Sequence, residues 1–148
     1  MIPRFRIRRL FCSALLLWGW GTGLPLMAQT AQDSVQQTIH SLMKGMLQAD
    51  SSMIRHAFTD QAVLQTIKTG GVAGAPILLN ESVDEFVQAV AKLKPGVADE
   101  QVEFGAVLLD GDLASVWTPY RFFRNGQFSH CGVNSFQLVR GEKGWKIQ

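Results

Sequence analysis

The C-terminal third of this 148-residue chain constrains its fold most: apolar runs with strand character are separated by Asp110-Gly111 and Asn125-Gly126. Such dipeptides tolerate the positive φ angles of primed two-residue turns, and between alternating apolar segments they are the strongest short-range hairpin signal. Residues 101–148 therefore read as an antiparallel meander. With Asp110-Gly111 as the first loop, Leu109 pairs with Asp112, Val107 with Ala114 and Phe104 with Trp117. With Asn125-Gly126 as the second, Arg124 pairs with Gln127, Arg121 with His130, Trp117 with Asn134 and Ser115 with Phe136.

Because successive strand side chains alternate, that register sorts them into two faces. Phe104, Ser115, Trp117, Arg121, His130, Asn134 and Phe136 share the more aromatic face, which is expected to turn inward. Val107, Leu109, Val116, Tyr120 and Val133 fall on the other, expected to be the outside. Pro119 bears on this division because it has no N–H for the ladder. A bulge there would turn Ala114, Val116, Thr118 and Tyr120 inward instead.

Upstream, the apolar spacing is helical. Asp33 followed by Gln36 has a capping pattern, and Val35, Ile39, Leu42, Met43 and Met46 form one stripe, so a long amphipathic helix is expected from Asp33. Asp50-Ser51-Ser52 can cap a second helix containing Ile54, Ala57 and Phe58. Residues 62–68 read as a strand, and Val72 to Leu79, with Gly74 and Pro76, as a loop or an edge strand. Ser82 and Glu85 form a capping box that opens a third helix, stopped by Pro95-Gly96. Strands are not regularly interleaved with helices, so the fold class is α+β.

Residues 1–28 have the layout of an export signal: Arg4, Arg6, Arg8 and Arg9, then the apolar run Leu10 to Trp20, then Leu26-Met27-Ala28 as a cleavage site. A periplasmic or secreted location is expected, with residues 29–148 as a single domain. Arg8-Arg9 is also compatible with twin-arginine export. The segment carries four of the fourteen basic residues and none of the twelve acidic ones, so residues 29–148 have a net charge of −2. With no basic cluster left, neither nucleic acid nor, after cleavage, a membrane is an expected partner. Cys131 is then the lone cysteine, with no intramolecular disulfide available and a small structural role expected. His40, His56 and His130 lack the short ligand spacing of a zinc site, and no metal or cofactor is expected.

Val116-Trp117-Thr118-Pro119-Tyr120, Ser129-His130-Cys131-Gly132, Phe136-Gln137-Leu138-Val139 and Gly144-Trp145-Lys146-Ile147, behind three helices, resemble the nuclear transport factor 2-like superfamily. More narrowly, these residues are similar to its exported bacterial branch of lumazine-binding or polyketide-cyclase-like proteins. The resemblance implies a cone, a curved antiparallel sheet wrapped around three N-terminal helices, often dimeric through its outer face. It also implies a final strand running beyond Gln148.

Three functions follow as expectations. The first is binding of a small apolar or aromatic molecule, because Ser115, Arg121, His130 and Asn134 interrupt an otherwise apolar concave face. Each also has a structural explanation: Arg121 and His130 lie near a turn, and Asn134 can satisfy a backbone group. The second is a cofactor-independent isomerase, dehydratase or cyclase with His130 as acid-base, Asp60 as its partner, and Arg121 or Asn134 stabilising an oxyanion. The third is a homodimeric interaction module joined through the outer sheet face.

Overall fold

The computed structural model describes residues 24–70 and 74–148. The chain runs α1 (Leu24–Gln48), α2 (Ser51–Ala57), β1 (Val63–Thr69), β2 (Pro76–Ser82), α3 (Val83–Ala91), β3 (Ala98–Val102), β4 (Ala106–Asp110), β5 (Leu113–Arg124), β6 (Gln127–Gly141) and β7 (Gly144–Ile147). Three helices pack into the hollow of a strongly curled antiparallel sheet, so the α+β expectation holds. Residues 1–23 of the expected export signal lie outside the described residues. No helix among the described residues is long and apolar enough to cross a membrane.

Helix α1 begins nine residues before Asp33, so the expected box at Asp33 is not a cap. The intervening stretch is rich in good helix formers, and Pro25 sits in the first turn, where a missing N–H costs nothing. The other two caps form as expected. Asp50 accepts from the Met53 N–H at 2.9 Å, and Ser82 and Glu85 close a reciprocal capping box. From these helices Val35, Ile39, Leu42, Met46, Ile54, Val83 and Val90 are buried against Ala114, Val116, Leu138, Trp145 and Ile147 of the sheet.

The sheet order is β3-β5-β6-β7, and β4 pairs with the other half of the β3-bearing edge of β5. Strands β1 and β2 make a separate antiparallel hairpin, so the segment around Pro76 is an edge strand. Both expected turns exist, with different consequences. At the second, Asn125 and Gly126 have φ of 52° and 73°, and Arg124 faces Gln127 as expected. At the first, Asp110 pairs with Leu113, so the loop is Gly111-Asp112 with positive φ at its first residue only. This is the glycine-first type of turn. It moves the β4–β5 register by two residues and leaves the faces unchanged.

Two irregularities do change the faces. On β6 one residue is inserted at Ser129: Phe123 faces Phe128, while Phe122 faces His130. Beyond it, the two strands pair in the opposite phase to the one the turn alone dictates. Consequently Ala114, Val116 and Thr118 are buried, whereas Trp117 is 53% exposed. The second break lies opposite Pro119, where residues 103–105 separate β3 from β4 and the Glu103 N–H donates to the Pro119 carbonyl at 2.9 Å. It turns Phe104 inward and Ala106 outward. Hence Val107, Leu109, Val116 and Tyr120 face the helices, and the expected outer face is corrected on those strands. The outside is formed instead by Leu108, Leu113, Trp117, Phe128 and Val133.

Candidate functional site

Three strands supply the inner face at the wide end of the cone. Glu100 of β3 stands opposite Phe122 of β5, and Phe122 stands opposite His130 of β6. Further along, Thr118 faces Asn134. The Asn134 side-chain Nδ2 donates to Glu100 Oε1 at 2.7 Å, a bond that joins β3 to β6 across the intervening β5. In a flat sheet strands two apart are separated by about 10 Å. Only the curl brings these side chains together. Tyr120 lies over Gly132, where an added Cβ would stand 2.8 Å from the phenol oxygen, so the glycine makes room for the ring. The His130 ring packs edge-on to Tyr120, with centroids 5.8 Å apart, and tilted against Phe122 at 5.1 Å.

Between this face and the helices is a cavity of about 370 Å³. Met46 of α1, Phe86, Val90 and Leu93 from α3 and the residues after it, and Ala98 and Phe122 of the sheet make apolar walls. Glu100, His130 and Arg124 are its charged or titratable lining groups. A broader groove of about 1050 Å³ lies on the other side of α1, beside Trp145. Of the basic residues that line it, Arg140 pairs with Asp112 and lies over the Trp145 ring, and Lys146 Nζ donates to the His56 carbonyl. The smaller cavity, apolar with a few convergent polar groups, has the composition of a small-molecule pocket and is the candidate site.

Burial pushes the Glu100 carboxyl above its ordinary value of 4.5, opposed by the hydrogen bond from Asn134 and the charge of His130. The Tyr120 phenol is also raised, by burial and then by the negative charges of Glu100 and Cys131, so it stays protonated. Thr118 is fully buried, and its Oγ1 has no hydrogen-bond partner among the described residues. Among those residues no group of three or more His, Cys, Asp or Glu could hold a metal ion.

The residues singled out in the sequence are dispersed by this geometry. His130 lines the cavity and Asn134 holds Glu100. Phe104 and Phe136 point inward but are packed against the core, Phe104 also meeting His40 edge-on at 5.1 Å. Ser115, Trp117 and Arg121 lie on the opposite face of the sheet, Ser115 accepting from Gln137 Nε2. Asp60 is exposed beside Thr59, whose N–H donates to Ile147, at the far end of β6 from His130. Glu100 escaped notice because β3 starts at Ala98, earlier than the strand read from sequence. The alternation that puts Val102 inward, followed two residues upstream, reaches it.

No protein-family model and no curated protein sequence matches the chain. Solved structures match its fold. A nuclear transport factor 2-like protein of unknown function from Shewanella baltica superposes with a TM-score of 0.59 at 16% identity, over 86% of this chain and 91% of that one. A second such protein, from Silicibacter pomeroyi, gives 0.55 at 17% identity over 83% and 92%. A protein from Kribbella flavida gives 0.62 at 15% identity over 81% and 87%. The chain has the nuclear transport factor 2-like fold, as its sequence resemblance implied.

The raised Glu100 carboxyl fixes a sign for stability against pH. The folded state binds this proton more tightly than the unfolded chain, so stability from this group falls as pH rises from the ordinary glutamate value through the raised one. Glu100→Gln, which keeps an acceptor for Asn134, should raise the thermal midpoint at pH 7. The gain should vanish near pH 4; midpoint curves for both proteins across this range check it.

Proposed function

We propose that the domain binds a small, mostly apolar molecule in the cone cavity, with the Glu100–Asn134 pair as its polar anchor. The observation that carries this reading is a half-buried carboxyl held at the polar end of a cavity whose other walls are apolar. Such a group costs stability unless it is used. If residues 1–28 act as an export signal, the ligand is met in the periplasm or outside the cell. The exported lumazine-binding branch suggests a ring compound of that size. A panel of one- and two-ring aromatics, followed by two-dimensional NMR, should perturb the amides around Val90, Ala98 and Phe122. Ala89→Trp fills the cavity from α3 and should weaken binding at least tenfold. Shifts scattered over the surface, or binding indifferent to that substitution, would sink the proposal.

A second reading is favoured by the displaced titration of Glu100 beside His130. A carboxyl whose pKa burial raises is a stronger base when ionised, suited to take a proton from a carbon next to a carbonyl, with His130 giving one to the substrate oxygen. That is the chemistry of an isomerase or dehydratase needing no cofactor. In D₂O the protein should speed deuterium incorporation into a two-ring ketone such as 2-tetralone. Glu100→Gln should cut the rate by about 10²–10⁴-fold. Equal rates for the two proteins would eliminate acid-base catalysis by Glu100.

We also propose that two copies join through the outer sheet face. Leu108, Leu113, Trp117, Phe128 and Val133 expose large apolar side chains on that face, a concentration of apolar surface that a partner would cover. Light scattering at micromolar concentration should give twice the chain mass, and Trp117→Glu should halve it. A wild-type monomer under those conditions contradicts the dimer.

A further inference from the structure

We infer that the ligand presents a hydrogen-bond donor, a hydroxyl or an N–H, to Glu100 and is not an acid. The inference rests on the cavity being the binding site. Its basis is the unequal supply of partners around the carboxylate. An ionised carboxylate offers about four acceptor positions on two oxygens. Among the described residues only Asn134 Nδ2 donates to Glu100, and it does so to Oε1. The other oxygen has no protein donor there. His130 acts on the carboxylate through its charge and makes no hydrogen bond to it; its Nδ1 is within 3.1 Å of Ser129 Oγ, and its ring meets those of Tyr120 and Phe122.

The same shortage of partners recurs next to Asn134. Thr118, its neighbour on β5, is fully buried with an unpartnered hydroxyl. Among the described residues Thr118 Oγ1 is thus a buried polar atom without a partner, whereas such atoms in folded proteins are nearly all paired, and the half-buried Glu100 beside Asn134 has one oxygen without a protein donor. A molecule covering Glu100 shuts solvent away from its second oxygen. A donor supplies that oxygen with a partner. An ether or a hydrocarbon leaves the oxygen desolvated and unpaired, and a carboxylate adds a like charge in a poorly screened site. Arg124, which also lines the cavity, is exposed at its rim, where solvent weakens its hold on an anion. The volume, near the lower end of the usual 300–1,000 Å³ range for small-molecule pockets, sets a compact ligand.

Three probes with one skeleton separate the possibilities: 2-naphthol as donor, 2-methoxynaphthalene as acceptor only, and 2-naphthoate as anion. Titrated by NMR at pH 7, 2-naphthol should bind about tenfold more tightly than the other two, the size of one hydrogen bond to a charged group. In Glu100→Gln that preference should shrink to less than about threefold, because the amide can turn a donor to the ligand. Binding of the ether or the acid as tight as that of 2-naphthol overturns the donor requirement and leaves the cavity as a binding site. Failure of all three to bind removes the cavity reading itself, and this inference with it.

Discussion

One inserted residue on β6 decides what this protein holds inside and what it shows outside. Without Ser129 as an extra residue, the Asn125-Gly126 turn would put Trp117 and Arg121 on the same side as His130 and Asn134. With it, Val116, Thr118, Tyr120 and Phe122 share that side. Trp117 goes to the surface, and the core receives residues small enough to lie under three helices. A bulge also increases local twist. The facing of β5 against β6 thus follows from this insertion, and that of β4 from the second break at residues 103–105.

The Glu100–Asn134 bond has a second role in that geometry. It fastens β3, at one edge of the sheet, to β6, on the far side of β5. The ladder hydrogen bonds hold neighbouring strands, but none of them fixes how far the sheet closes on itself. A side-chain bond across the hollow does. The desolvation that raises the carboxyl is therefore linked to the shape of the cone as well as to chemistry.

Much of the fold was legible because local signals carried it. The two glycine turns, the Asp50 cap and the Ser82–Glu85 box each rest on residues within a few positions of one another, and each formed. The inner face of β6 was also legible: His130, Asn134 and Phe136 point where alternation put them. The inner face of β5 was not, because alternation propagates from a turn only until a bulge intervenes, and Ser129 has no composition that marks it as one. Pro119 did announce trouble in its neighbourhood. The break it accompanies lies on the facing strand edge, at residues 103–105, since a missing donor disturbs the partner as readily as the strand that bears it. Glu100 was hidden differently: a charged residue at the start of a strand reads as a surface residue until its neighbours' facing is known.

Ser82 closes β2 and caps α3 in the same few atoms, its hydroxyl and backbone both tied to Glu85. The β1–β2 hairpin has no other strand beside it and leaves Ile67, Ile77 and Leu78 in solvent, so it is the part of the fold with the least holding it shut. Fraying that begins there does not stop at the strand's end, because the residue that must let go is the first anchor of the next helix. Phe86 and Val90, one and two turns further on, wall the cavity. The hairpin and the cavity wall are thus joined through a single residue, Ser82.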